Sequence, residues 1–209
     1  MIDLYTWSTP NGRKASIMLE ELGLDYTAHP INISTGDQFT PEFLAINPNN
    51  KIPAIVDSDG PDGKPITVIE SGAILIYLAE KVGSDLLPAS GPVRYAALEW
   101  LMLQMGGVGP IFGQVHHFWK FAKEDVPYAK ERFKQELLRL YGVLDKRLGD
   151  HEFLAGDAYT IADIAMYPWV ARFGWHPCDI DDFSNVKRWF DQVGARAAVD
   201  RGMNVPGAA

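Results

Sequence analysis

MIDLYTWSTPNGRKASIMLEELG, residues 1–23, decides the first half of the fold. Residues 2–6 are short and β-prone. Thr9-Pro10-Asn11-Gly12 then punctuates the chain, and a hydroxyl followed by proline is a good helix start. From Arg13 the pattern is helical: Ile17, Met18, Leu19 and Leu22 form an apolar stripe, and Gly23 ends it. Residues 26–33 read as a second strand. A helix between two early strands favours a parallel pair.

Working outward, Thr40 to Ile46 reads as a short helix before the loop Asn47-Pro48-Asn49-Asn50-Lys51. Two β-rich runs follow, Ala54-Ile55-Val56 and Ile66-Thr67-Val68. The segment between them, Asp57 to Pro65, is dense in Asp, Gly and Pro, which signals a hairpin with a longer loop. Ser71 then opens an apolar helix through Ala73, Ile74, Leu75, Tyr77 and Leu78. The order β-α-β-(α)-β-β-α predicts an α+β, thioredoxin-like domain over residues 1–83. Residues 84–91, rich in Pro, Gly and Ser, read as a linker. An all-α domain is expected over 92–209, with helical patterns from Val93 to Phe121, Tyr128 to Leu148, Ile161 to Phe173 and Phe183 to Arg196. The run Gly106-Gly107-Val108-Gly109-Pro110 is expected to bend or break the first of these.

The 209 residues carry a formal net charge of -8, which argues against a broad nucleic-acid or anionic-membrane surface. No window approaches the roughly 18 apolar residues of a membrane span, and no signal peptide is read. Cys178 is the one cysteine, so an internal disulfide is impossible, and a reducing, cytoplasmic setting is the expectation. No metal is expected. His116 and His117 are adjacent, point to different helix faces and have no partner at ligand spacing, so a core or interface role is the better reading. Tyr159-Thr160-Ile161-Ala162-Asp163-Ile164 reads as a capping box with a hydrophobic staple.

Three places could carry chemistry. In a thioredoxin-like unit the first helix points its N-terminus at the reactive site, where partial positive charge stabilises a thiolate. Redox proteins of this type place cysteines there, and this chain has Ser8, Thr9, Pro10 and Asn11. Any reactive thiol must then come from a ligand, with Thr9 and Asn11 as donors to its sulfur; the plain alternative is a cap and a turn residue. Pro53 precedes a β-run, and a cis bond there would leave the Ile52 backbone free to pair with a peptide. At Glu70-Ser71 a hydroxyl, a helix N-terminus and a carboxylate adjoin. They suit a group bearing both carboxylate and ammonium, as γ-glutamyl does, although Ser71 also reads as an ordinary cap.

The combination resembles the glutathione transferases along essentially the whole chain. It comprises the β-α-β start, Asn50-Lys51-Ile52-Pro53-Ala54-Ile55, Glu70-Ser71-Gly72-Ala73-Ile74-Leu75 and the helix start at Thr160. Thr9-Pro10-Asn11-Gly12, Gly36-Asp37-Gln38-Phe39, the loop from Asn47 to Pro53, and Gly106 to Pro110 with Gly113-Gln114 and His117-Phe118 are similar to the bacterial nu-class. That class is related to the transferase-like domain of a yeast prion protein. The resemblance implies a homodimer and a disulfide-bond reductase. It implies two glutathiones or one glutathione disulfide per site, and no protein cysteine in the reaction. It places Thr9 and Asn11 at the sulfur, and Gln38, Lys51, Ile52, Pro53, Glu70 and Ser71 on the first glutathione, with Arg132 near the second. Tyr5 lies inside the first strand and is not given the activating role of other classes. Ser8 is the substitute for Thr9. Two further readings stand beside disulfide reduction. One is conjugation of glutathione to an electrophile over an apolar pocket of Phe112, Phe118, Trp119 or Trp169. The other is a regulatory protein that binds glutathione without turnover.

Overall fold

The computed structural model describes residues 1–207. Contacts divide the chain into two compact units, one of residues 1–89 together with those from Ala195 onward, the other of residues 90–194.

The first unit holds a four-stranded sheet in the order β2-β1-β3-β4. β1 (Ile2–Thr6) and β2 (Tyr26–Pro30) are parallel, linked by α1 (Pro10–Leu22). β3 (Ala54–Asp57) runs antiparallel to β1 and pairs with β4 (Ile66–Ile69) as the expected hairpin. β2 stops at Pro30, short of the run to residue 33 that the sequence suggested, because the next residues turn into a loop closed by Asp37. One Asp37 carboxylate oxygen accepts from Asn32 N at 2.9 Å, and the other accepts from Thr35 Oγ1 at 2.9 Å. Two more helices complete the early part, α2 (Pro41–Ile46), capped by Thr40, and α3 (Ser71–Val82).

Strand β1 alternates as a half-buried strand should, with Ile2, Leu4 and Thr6 inward. α1 buries Ala15, Ile17, Met18 and Leu19. Gly12 lets α1 start close against the end of β1: a Cβ there would lie 2.3 Å from Trp7 O and 2.5 Å from Thr6 Oγ1.

The C-terminal stretch, which the helical pattern had grouped with the second half, packs on α1 instead. It forms a helix with no counterpart in the sequence reading, Ala197–Met203. Gly202 sits directly on Ile17, where a Cβ would come within 2.5 Å of the Ile17 Cα, and Ser16 Oγ donates to Gly202 O at 2.6 Å. Arg196 holds Glu21 through two hydrogen bonds of 2.7 and 2.8 Å, and Arg201 meets Glu20 at 2.6 Å.

The second unit is helical: α4 (Pro92–Leu103), α5 (Gly109–His116), α6 (Pro127–Asp150), α7 (Ile161–Val170) and α8 (Ser184–Gly194), which leaves the Ala197–Met203 helix as α9. The Gly106–Pro110 run does not break the chain's helical course. It widens into a π-helical turn at Gln104–Val108, which accommodates the missing N–H of Pro110. A second π-helical turn covers His117–Phe121.

All ten residues of α7 are buried, and the expected capping box is present at its start. Asp163 accepts from Thr160 N and Leu154 N, both at 3.0 Å, and from Trp189 Nε1 at 2.8 Å. Burial pushes its carboxyl up to about 6, against the lowering effect of those donors. Among the described residues no helix is long and apolar enough to cross a membrane.

Candidate functional site

The strand register brings the early site residues to one end of the sheet. Thr6 pairs with Pro30, Tyr5 with Ala54, and Ala54 with Ile69. The end of β1, the end of β2, the start of β3 and the end of β4 therefore share an edge. The loops that leave this edge carry Thr9 and Asn11, then Gln38, then Lys51, Ile52 and Pro53, then Glu70 and Ser71.

Thr9 caps α1: its Oγ1 accepts from Gly12 N at 3.1 Å. That bond uses a lone pair, so the hydroxyl hydrogen remains available to an outside acceptor. The cap reading and the functional reading thus coexist at one side chain. Ser8 is exposed and Asn11 half-buried beside it. Gln38 sits in a short turn after β2, with its Nε2 3.4 Å from Ile33 O and its buried Oε1 lacking a protein partner.

The Ile52-Pro53 bond is cis. Lys51 is exposed and Pro53 buried. The loop before them is built on Asn47, a residue the sequence reading passed over. It is buried at 3% exposure, donates through Nδ2 to Lys51 O at 2.7 Å and accepts from Asn49 N at 3.0 Å. The cue was present: a polar side chain closing a short helix and followed by proline.

The Glu70-Ser71 pair differs in detail from the expectation. Ser71 is the first residue of α3 and not its cap; Glu70 occupies the cap position and makes no side-chain cap bond. Its backbone stands at φ 70°, ψ 116°, a sparsely populated conformation costing about 1–3 kcal/mol, of the kind that clusters at functional sites. This leaves the Glu70 carboxylate exposed, while Ser71 is buried.

Beneath Ser71 lies a second residue absent from the sequence reading. Lys14, on the inner face of α1, is 1% exposed and donates through Nζ to Ser71 Oγ at 3.3 Å. Burial lowers its ammonium to about 7, against the raising effect of the Glu70 charge. Its position three and four residues before Ile17 and Met18 placed it on the apolar stripe, which was the readable signal.

Tyr5 stacks on His29 with ring centroids 4.7 Å apart, and its phenol is raised by burial and Asp3, the opposite of an activated tyrosine. A cavity of about 410 Å³ lined by Asp59, Gly60, Tyr77 and Lys81 lies at the other end of the strands, away from this edge.

The chain belongs to the glutathione S-transferase family. Residues 9–81 match the family model for the glutathione S-transferase N-terminal domain, and residues 127–192 match that for the C-terminal domain. Disulfide-bond oxidoreductase YfcG of Escherichia coli is 48% identical over 97% of this chain and 94% of its own length. A glutathione transferase structure from Burkholderia graminis, with two glutathione molecules bound per subunit, is 49% identical with a TM-score of 0.93, covering 100% of this chain and 89% of that one. One from Pseudomonas putida, with a glutathione disulfide bound per subunit, is 46% identical with a TM-score of 0.94, covering 99% of this chain and 92% of that one.

The glutathione S-transferase residues of the second unit are dispersed. Arg132 is exposed on α6. His116 is in the core: its Nε2 lies 2.9 Å from His176 Nε2, and His176 Nδ1 lies 2.8 Å from Tyr141 Oη. Burial first, then Arg172, lowers His116 to about 4; burial first, then His116, lowers His176 to about 3. Phe112, offered as pocket lining for an electrophile, is wholly buried against Tyr141 and His176, and Trp169 is buried too. Phe118 stacks on Phe133, and Trp119 lies under the Lys130 ammonium. Among the described residues no cluster of three or more His, Cys, Asp or Glu side chains is placed to hold a metal ion.

Proposed function

We propose that this glutathione S-transferase is a glutathione-dependent disulfide-bond oxidoreductase acting on small disulfides. The observation that carries the reading is the start of α1, where Ser8, Thr9, Pro10 and Asn11 occupy the place of a redox dithiol. The lone Cys178 belongs to the other unit, and burial, then Asp182 and Asp179, pushes its thiol up to about 11. A thiol so raised is a poor nucleophile at neutral pH. The reactive sulfur therefore comes from a bound ligand.

The sheet edge suits glutathione by charge and by reach. At neutral pH glutathione carries two carboxylates and one ammonium. The edge offers the Lys51 ammonium, the N-termini of α1 and α3, the Gln38 amide and the Glu70 carboxylate. From β2 to β4 the edge spans roughly 14 Å, three strand spacings. An extended tripeptide spans roughly 10 Å and fits along it.

Bound glutathione supplies the thiolate and both electrons: two thiols leave as one glutathione disulfide, and the target disulfide leaves as two thiols. The protein's part is to bind, align and polarise. Glu70 takes the γ-glutamyl ammonium, Ser71 and the α3 N-terminus take its carboxylate, and the Ile52 backbone pairs with the central residue. Lys51 and Gln38 hold the glycyl end. The Thr9 hydroxyl and the Asn11 amide donate to the sulfur, and the positive end of α1 favours its anionic form. Exchange of this kind depends on thiolate character and alignment of sulfurs, and needs no acid–base group on the protein. Arg132 is the contact assigned to a second glutathione.

The relatives support this choice of chemistry, since YfcG is named a disulfide-bond oxidoreductase. A homodimer completes the reading. Tyr95, Met102, Phe121 and Tyr128 of the second unit are large apolar side chains left exposed, the kind of surface a partner copy covers. A cytoplasmic location accords with a single free cysteine.

Two parallel assays test the proposal: reduction of bis(2-hydroxyethyl) disulfide by glutathione, and conjugation of glutathione to an aromatic halide. Turnover in the first well above the second is the expected result. Conjugation alone would overturn it, and binding of glutathione with turnover in neither would mark a regulatory protein.

A further inference from the structure

Asparagine followed by glycine is the dipeptide that most readily loses its side-chain amide, because glycine sets no side chain against ring closure. Asn11-Gly12 is the one such pair in the chain. Packing imposes it: a Cβ on Gly12 would lie 2.3 Å from Trp7 O and 2.5 Å from Thr6 Oγ1, so no larger residue fits. The reaction has a fixed course. Gly12 N gives up its proton and attacks Asn11 Cγ; the Cγ–Nδ2 bond breaks, and Nδ2 leaves as ammonia. Water then opens the cyclic imide at either carbonyl, giving aspartate or its isomer with the main chain routed through the side chain. No electrons are exchanged.

The fold opposes the first step. Asn11 and Gly12 are the second and third residues of α1, and the Gly12 N–H is one of those at a helix start that have no partner within the helix. Thr9 Oγ1 accepts it at 3.1 Å, and Thr9 O accepts from Arg13 N at 3.1 Å, which fixes the backbone on both sides of the pair. Gly12 is buried, while Asn11 is half-buried and within reach of water. The attacking nitrogen is thus held protonated and turned towards Thr9. We propose that Asn11-Gly12 is a latent deamidation site that the Thr9 cap holds shut, and that its opening sets a carboxylate at the ligand sulfur and silences the enzyme. The silencing rests on the site reading above; the guarding by Thr9 does not.

The first turn of α1 carries no acidic residue, so no carboxylate of that turn discharges its positive end. An aspartate at position 11 would be the first. It replaces an amide donor with an acceptor and sets a like charge beside the thiolate, which raises the ligand thiol and thins its anionic form roughly tenfold. The isomer adds a main-chain carbon where Gly12 already stands against Trp7 O and Thr6 Oγ1, so the helix start does not re-form on it.

The test is peptide-resolved mass spectrometry of the full chain held at mildly alkaline pH. Trypsin releases a peptide ending at Arg13 in which Asn11 is the one side-chain amide, so an amide-to-acid mass gain there reports this site alone. Isomerisation at Asp59-Gly60 or Asp62-Gly63 falls in another peptide and leaves mass unchanged. Folded wild type is expected to react roughly tenfold or more slowly than the same chain in urea. Thr9→Ala should react roughly fivefold faster than folded wild type, and Thr9→Ser close to the wild-type rate. Thr40→Ala removes the α2 cap in the same unit and should also stay close to the wild-type rate. Equal rates folded and in urea, or equal acceleration by Thr40→Ala and Thr9→Ala, overturn the guarding role. The silencing is read from Asn11→Asp, expected to reduce bis(2-hydroxyethyl) disulfide roughly tenfold more slowly than wild type; wild-type turnover in Asn11→Asp overturns it. Failure of the site reading looks different: fresh wild type would not reduce the disulfide at all, and the silencing falls with it, while the mass readings still decide the guarding role.

Discussion

The buried pair His116 and His176 makes the protein acid-labile in a window that can be calculated. Both rings are neutral in the fold, lowered to about 4 and about 3, whereas an unfolded histidine titrates near 6.5. As pH falls below about 6.5 the unfolded chain takes up protons that the folded chain refuses, so stability is lost on acidification. Each ring contributes a loss of about 2 kcal/mol between pH 7 and pH 5, about 4 kcal/mol for the pair. Protonating both rings would set two N–H groups face to face across 2.9 Å, which keeps the pair from relaxing together.

Asp163 works in the opposite direction. Its carboxyl is raised to about 6, so it gains a proton in the fold over the same window and returns about 1 kcal/mol. The measurement is therefore a difference. Urea unfolding is followed by tryptophan fluorescence, which reports mainly the second unit, since only Trp7 lies in the first. Wild type is compared with His176→Leu at pH 7 and pH 5. The variant is less stable at both, because Tyr141 Oη and His116 Nε2 lose a partner, but its loss between the two pH values is smaller by about 2 kcal/mol. Equal losses in the two proteins would refute the reasoning.

Two further substitutions have definite expectations. Thr9→Ala removes the α1 cap and costs on the order of 1 kcal/mol in urea unfolding, and it lowers turnover with glutathione more than it weakens glutathione binding; unchanged turnover removes Thr9 from the sulfur. Asp163→Ala strips the partners from Thr160 N, Leu154 N and Trp189 Nε1, each a buried donor whose loss of a partner costs about 1–3 kcal/mol, so the urea midpoint falls; a midpoint within experimental error of wild type contradicts the capping account.

What the sequence made legible was local chemistry with a fixed spacing. Thr9-Pro10 and Thr160 with Asp163 write their helix starts in adjacent residues, and both caps stand where the spacing placed them. The Asp57–Pro65 segment announced its hairpin through turn residues. The misses have a common physical origin, which is dependence on distant partners. α9 is short and weakly patterned, and belongs to the first unit because Gly202 fits Ile17, 185 residues away in the chain. The apolar stripe marks Lys14 as inward-facing, but its partner Ser71 lies 57 positions on and is not readable from α1 alone. Ser71 looked like a cap because serine usually is one, and only the backbone of Glu70 shows that the cap lies one residue earlier. Phe112 was readable as apolar but not as core; the Tyr141 and His176 rings that enclose it come from other segments.

The central claim is that the electrons and the reactive sulfur come from glutathione and none from the protein. Its most direct test is the turnover of Cys178→Ala in glutathione-dependent reduction of bis(2-hydroxyethyl) disulfide. The account predicts turnover equal to wild type; loss of turnover in Cys178→Ala would contradict it.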